Sequence, residues 1–389
     1  MKEVEERFRN NFSTGRDSGS GMCVFEGEKK LISLYGGFLD AECLRPWKED
    51  TLVGMGSGTK GIVLACVLHA MQEAGADLDS IISDFWPEFA QGGKREMTLG
   101  LLLSHRAGLC APNDITLHFP DREGIVRSIE EQRPLLPSHA GSAYSPHLFA
   151  YALEEILRRL TGGETLGEYW RRVFGDPLGI DLWIGLPESE HVRVGPTLPP
   201  QRAMLEDCDV LFARAFADPD SLVHKAFTRP AKLPGGLAEW NTPRIWAAGL
   251  PSVGGMASAQ GLAKFYAMLA NGGALNGSTF FKRQTLDWMS TRLTQGFDHA
   301  LQCDIAFSAG FMMDPLDHNG QKTRFLFGKS VSAFGHIGLG GSLGFADPER
   351  GIGFAYLMNN WEPGVLPRER CTSLVDAIYN APHFLLPAI

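Results

Sequence analysis

Ser57 and Lys60 stand three residues apart, where the turn Gly54-Met55-Gly56 gives way to an apolar run from Gly61 to Met71. A serine hydroxyl is a weak nucleophile at neutral pH and needs a base beside it. The run is apolar on nearly every side, which predicts a buried helix. Residues three apart on a helix share a face, so the Lys60 ammonium can reach the Ser57 hydroxyl. The free N–H groups and positive dipole end of that helix favour negative charge developing on the serine. A plain N-cap would also explain Ser57. The rest of the chain has to decide between the two.

Composition narrows the field. At 389 residues the chain exceeds what one core usually holds, so two domains or one composite unit are expected. Its net charge of −9 argues against nucleic acid or an anionic membrane as the main partner. No uninterrupted apolar run reaches the roughly 18 residues of a transmembrane helix. Met1 to Phe8 lacks the apolar core of a signal peptide and predicts a surface helix resting on Val4, Phe8 and Phe12, so a cytoplasmic location is expected. Seven dispersed cysteines without C-x-x-C spacing fit a reducing compartment, and Cys66 reads as core. There is no H-E-x-x-H, no metal-ligand spacing, no Walker loop and no strand–G-x-G-x-x-G–helix pattern. Neither a metal nor a cofactor is expected.

The elements that must position Ser57 follow from periodicity. Met22–Phe25 and Lys30–Tyr35, joined across Glu26-Gly27-Glu28, predict a hairpin. Helices are predicted over 98–105, 148–160, 166–174, 259–270 and 371–379, with a short one over 79–89 broken at Pro87. Residues 184–240 predict long loops with one helix near 204–217. Strands return over 307–312, 332–335, 341–346 and 351–358. Strands thus open and close the chain while helices fill its middle. That order predicts a mainly antiparallel sheet flanked by helices, with a mostly helical domain inserted. The expected division is 1–75 with 245–389 against 76–244, with the site in the cleft between.

The ordered motifs carry a resemblance. Ser57-Gly58-Thr59-Lys60, then Leu102-Leu103-Ser104-His105-Arg106-Ala107-Gly108-Leu109, then Tyr144, then His336-Ile337-Gly338 resemble the serine β-lactamase and penicillin-binding-protein superfamily. More narrowly they resemble its class C-type esterases, over about residues 20 to 380. The resemblance implies an α/β (α+β) transpeptidase-like fold and a serine attacking a carbonyl while a lysine–tyrosine pair shuttles its proton. Lys60 and Tyr144 would be that pair. A nearby ammonium would favour the phenolate of Tyr144, whose free pKa is about 10, or Lys60 would itself be the base. Both stay open. His336 would orient substrate and set pocket polarity, and Gly338 would let backbone approach the substrate closely. The N–H groups of Ser57 and Leu339 would form the oxyanion hole. Ser104 and His105 read as structural, and His147 could face the cleft.

One departure bears on substrate. The family's Y-x-N is here Tyr144-Ser145-Pro146, and proline offers neither a side-chain amide nor a backbone donor. That disfavours β-lactam and peptide substrates and leaves ester cleavage open. A second serine, in Gly340-Gly341-Ser342-Leu343-Gly344, matches the nucleophile elbow, but the elbow requires a following helix. Here a turn and a strand follow, and only His383 lies far enough along the chain to complete a triad. The sequence therefore predicts a serine hydrolase acting on small carboxylic esters through an acyl-serine. An acyltransferase or amide-processing enzyme of the same fold is the first alternative. A non-enzymatic ligand-binding relative is the second; it would have lost Ser57, Lys60 or Tyr144, and all three are present.

Overall fold

The computed structural model describes residues 2–200, 207–231 and 233–382. The residues that organise it are short strands with small and large side chains in alternation. We label the strands of the main sheet β1 (Gly19–Glu26), β2 (Lys29–Gly37), β3 (Thr294–Phe297), β4 (Asp304–Phe307), β5 (Met312–Met313), β6 (Phe334–Ile337), β7 (Leu343–Asp347) and β8 (Ile352–Met358). Their order is β2-β1-β8-β7-β6-β5-β4-β3, and every pairing is antiparallel. The chain's two ends meet where β1 pairs with β8, Ser20 opposite Met358 and Glu26 opposite Ile352.

Alternation along β8 shows how the sheet is covered. Phe354, Tyr356 and Met358 point into a core shared with Val4, Phe8, Leu374 and Ile378. These come from helices α1 (Lys2–Ser13) and, at the end of the chain, Glu369–Asn380. Ala355 and Leu357 point the other way, into a core with Leu262, Phe265 and Tyr266 of the helix Ala259–Ala270. A Cβ at Gly353 would lie 2.1 Å from the Ala267 nitrogen, so the small face of β8 lets that helix lie directly on the sheet. Period-two patterning thus produces a two-faced sheet with helices on both sides.

The second core continues into helix α2 (Thr59–Ala74), buried from Thr59 through Leu68. A helix hydrophobic all round must be covered all round. It packs on the helix Leu148–Thr161 and faces β6. Strand Val53–Gly54, just before Ser57, pairs with Gly255–Ala257, which also pairs with Leu182–Ile184.

Several local expectations are corrected. Residues 79–89 form no α-helix; the short 3₁₀ turns Ile82–Asp84 and Pro87–Gly93 stand there. Residues 307–312 are not one strand: 308–311 turn between Phe307 at the end of β4 and Met312 at the start of β5, and the strand predicted over 332–335 lies at Phe334–Ile337. Helix 166–174 is Leu166–Trp170 followed by a π-helical stretch, Arg171–Gly175. Residues 184–240 hold helices at Asp207–Ala217, Leu222–Thr228 and Gly236–Trp240, where one was expected. The start predicted at 204 and His383 lie outside the described residues. Among the described residues no helix is long and apolar enough to cross a membrane.

Candidate active site

Backbone geometry presents Ser57. Gly56 has φ +52°, a left-handed conformation that glycine adopts without strain, and Ser57 follows in the 3₁₀ turn Gly56–Gly58. Four bonds fix the turn. Thr59 donates its hydroxyl to the Gly56 carbonyl at 2.7 Å and accepts the Gly255 amide at 2.9 Å. The Met55 amide donates to the Gly255 carbonyl at 2.9 Å. Ser342 donates its hydroxyl to the Met55 carbonyl at 3.0 Å. This last contact answers the competing serine: Ser342 opens β7 rather than a helix, and its hydroxyl fastens the turn that carries Ser57.

Lys60 is fully buried, with its ammonium nitrogen 3.0 Å from Ser57 Oγ and 3.0 Å from the Ser252 carbonyl oxygen. Burial without a carboxylate partner lowers its pKa to about 7, because the charged form loses its hydration. A lysine so placed is neutral in a large fraction of molecules near neutral pH and can accept a proton from the serine.

Tyr144 reaches Ser57 from the other side, with its hydroxyl hydrogen-bonded to the serine and its ring centroid 5.4 Å from Lys60 Nζ. Burial raises its pKa. This runs opposite to the expected phenolate: the desolvation cost outweighs any help from Lys60, so the phenol keeps its proton. Its backbone is held by Asp298, which accepts the Tyr144 amide with both carboxylate oxygens, at 2.9 and 3.1 Å. The same carboxylate accepts the Ala300 and Leu301 amides. Ser145 accepts the Phe149 amide at 3.0 Å and so ties Tyr144 to the start of helix Leu148–Thr161. The His105 ring lies between Tyr144, Phe149 and Phe307, and its Nδ1 accepts the Ser145 amide at 3.4 Å.

Three expectations change here. His336 does not face the cavity. Neighbouring strand residues alternate faces, so Ile337 and Leu339 line it while His336 turns inward and is fully buried. Its Nδ1 lies 2.7 Å from the Ile337 carbonyl oxygen, and burial together with the Lys60 charge lowers its pKa to about 3, so the ring is neutral. Gly338 approaches protein rather than an open cavity: a Cβ there would lie 2.2 Å from the Met55 carbonyl oxygen and 2.0 Å from Ser342 Oγ. The glycine lets β6 close onto the Ser57 turn. His147 packs edge-on against Phe119 and is not among the lining residues.

Leu339 lies beside the turn, its amide nitrogen 3.7 Å from the Cβ position of Gly56. Together with Ser57, Tyr144, Met312 and Ile337 it bounds a cavity of about 330 Å³. The opposite wall is Phe212 and Phe216 of helix Asp207–Ala217 and Phe227 of helix Leu222–Thr228. Asp209, buried at the start of that roof, pairs with Arg368 and accepts the Val365 amide at 2.9 Å. Sequence reasoning missed Asp298, Ser252 and this roof. Asp298 sits in no motif and Ser252 contributes only a carbonyl; the helix near 204–217 was expected but not its place over the cavity, and the Leu222–Thr228 helix lies in a stretch read as loop. Among the described residues no group of His, Cys, Asp and Glu side chains is arranged to hold a metal ion.

Residues 8–376 match the family model described as Beta-lactamase. The chain belongs to the beta-lactamase family. Membership makes the protein a serine hydrolase of that fold. It is 27% identical over 367 residues to the esterase/beta-lactamase LipL of Mycobacterium tuberculosis, covering 92% of this chain and 80% of that protein. A penicillin-binding-protein homologue from Caulobacter crescentus superposes with a TM-score of 0.85 at 32% identity, covering 97% of this chain and 96% of that one. A family VIII carboxylesterase superposes with a TM-score of 0.84 at 30% identity, with the same coverage. In this beta-lactamase-family chain, the serine, lysine and tyrosine motifs lie within the matched region.

Proposed function

We propose that the protein is a carboxylesterase working through an acyl-serine on Ser57, in the cleft between residues 1–75 with 245–389 and residues 76–244. The observation that carries this reading is the 3.0 Å contact between Ser57 Oγ and Lys60 Nζ, with a lysine held near pKa 7 by burial. Neutral Lys60 takes the Ser57 proton as Oγ attacks the ester carbonyl. The amides of Ser57 and Leu339 receive the oxyanion, in the manner of preorganised donors elsewhere. Tyr144, still protonated, hands a proton to the departing alkoxide and is resupplied from Lys60. Water then enters along the same path and loses a proton to the pair as it attacks the acyl carbon; the pair returns that proton to Ser57 Oγ as the acyl–Oγ bond breaks and the acid leaves.

The residues after Tyr144 favour esters. Pro146 carries no amide, Ser145 is committed to the Phe149 amide, and His147 packs on Phe119. A missing polar contact of this kind is worth about 1–3 kcal/mol, roughly 5- to 150-fold in rate, and falls hardest on the reaction with the poorer leaving group. The test is intact-protein mass spectrometry with p-nitrophenyl acetate, together with kcat/KM for that ester and for nitrocefin. We expect a Ser57 adduct, absent in Ser57→Ala, and a clear preference for the ester. Full turnover in Ser57→Ala defeats the reading, and equal efficiency on nitrocefin defeats the ester preference.

A further inference from the structure

The cavity beside Ser57 is larger and more uniform than a small ester requires. Its roof is one continuous aromatic surface. Phe212 stacks on Phe216, ring centroids 5.8 Å apart and planes 15° from parallel, and Phe227 meets Phe212 edge-on at 4.9 Å. Offset and edge-to-face packing of this kind holds the rings as a unit. Below them lie Leu301, Met312 and Ile337. Among the described lining residues the one carboxylate, Asp209, is engaged by Arg368 and by the Val365 amide. Apart from the Ser57 and Tyr144 hydroxyls, which the chemistry uses, the other side chains among the described lining residues meet hydrocarbon. At about 30 Å³ for each water-sized group, a volume of about 330 Å³ holds roughly ten such groups. An acetyl group would leave most of it unfilled.

We infer that this cavity is the subsite for an apolar arm of the substrate, an arylalkyl group or an alkyl chain of roughly six to ten carbons, and that the Phe212–Phe216–Phe227 roof sets that preference. The inference rests on the reading of Ser57 as the nucleophile and sharpens the substrate from small esters to esters bearing a bulky hydrocarbon arm. The arm belongs to either the acyl or the alcohol half of the ester, and two substrate series separate these.

In the first series the acyl chain of a p-nitrophenyl ester grows from acetate to octanoate. In the second the alcohol of an acetate ester grows from ethanol to 3-phenylpropan-1-ol. A methylene that becomes fully buried contributes up to about fourfold in kcat/KM. We expect one series to climb across several methylenes and then level off as the cavity fills. Phe212→Ala should flatten that climb, and Ala213→Phe, which adds bulk to the same wall, should move the plateau to shorter chains. Leu211→Ala, on the exposed outer face of the same helix, should leave the slope as it is. Two flat series, or a slope altered as much by Leu211→Ala as by Phe212→Ala, overturn the inference.

Binding without chemistry separates this inference from the ester reading. In the Ser57→Ala protein, calorimetry with 3-phenylpropan-1-ol and with ethanol reads the cavity alone. Tighter binding of the arylalkyl alcohol, weakened by adding Phe212→Ala, supports the subsite even if no ester acylates Ser57. Equal binding of the two alcohols overturns it even if Ser57 proves to be the nucleophile.

Discussion

The floor of the Ser57 cavity and its roof are held by different kinds of interaction. The floor is held by hydrogen bonds to backbone groups. The Ser57 turn is tied through Thr59, Gly255 and Ser342, and β6 closes onto it because Gly338 has no side chain to keep Met55 away. Behind it β7 and β8 are buried along their whole length. The roof is side chain on side chain. In helix Asp207–Ala217, Val210 and Leu211 are 44% and 46% exposed, and its inner face meets the cavity through aromatic rings. Asp209 anchors it to Arg368 and Val365. The contrast teaches a division of labour. Groups that must meet within hydrogen-bonding distance sit on a turn, a helix and a loop pinned against paired strands, where small shifts are costly. Groups that sort substrates by shape sit on a surface element that can change without moving the chemistry. Substitutions in the floor should therefore lower turnover of short and long esters alike.

The largest effect is expected for Lys60→Met. It removes the base and should lower kcat by about 10²–10⁴, the usual span for a positioned acid–base group. Folding provides the control. The pKa of Lys60 is depressed on folding, so the buried cation costs stability in full below about pH 7, and that cost fades as pH rises from there toward the unfolded value. Lys60→Met should therefore keep or raise Tm at pH 6. A cold, unstable variant would mean that the loss came from misfolding, and the base assignment would fail its test.

Acidification of the unaltered protein should have the next largest effect. With a base of pKa about 7, kcat/KM should fall about tenfold per unit below that value, roughly a hundredfold by pH 5. Tyr144 and His336 should not add to this limb, since one stays protonated and the other neutral through that range. A flat profile from pH 5 to 8 for both acetate and octanoate esters would remove Lys60 from the role.

Asp298→Asn tests the floor at one remove. It replaces a carboxylate that accepts amides from Tyr144, Ala300 and Leu301 with a group that has one acceptor oxygen and an unwanted donor. Kcat should fall about tenfold for short and long esters alike, because the main loss is the hold on Tyr144 while the aromatic roof keeps its place. A change in KM confined to long esters would place Asp298 with the roof instead.

The smallest effect is expected for Ser342→Ala. Loss of one neutral hydrogen bond to Met55 is worth about 1 kcal/mol, so a fall in kcat/KM of up to about fivefold and a slight fall in Tm should follow. A loss as deep as that of Ser57→Ala, at normal Tm, would restore Ser342 as a nucleophile.

The sequence by itself determined the parts that depend on neighbours along the chain. Ser57 and Lys60 meet because they are three apart across the 3₁₀ turn and first turn of α2, and the all-round apolar run after them could only be a buried helix. The hairpin Gly19–Glu26 with Lys29–Gly37 and the helix Ala259–Ala270 were legible from period and turn residues. The antiparallel sheet with helices followed from the order of elements, and the family from four ordered motifs. Tertiary structure alone decided what depends on residues far apart. That Tyr144 keeps its proton follows from burial, which no local pattern encodes. That His336 turns inward follows from the face of β6 that meets α2, and a one-residue change of register would have reversed it. Asp298, more than 150 residues from Tyr144, came to hold it because β3 ends beside that loop. The helix near 204–217 was legible, but its docking over Ser57 was not, and the seven-residue helix Leu222–Thr228 was too brief for its apolar period to read. Local spacing fixes which side chains share an element, whereas pKa, facing and cavity shape come from desolvation and packing between elements, and only the folded chain supplies those.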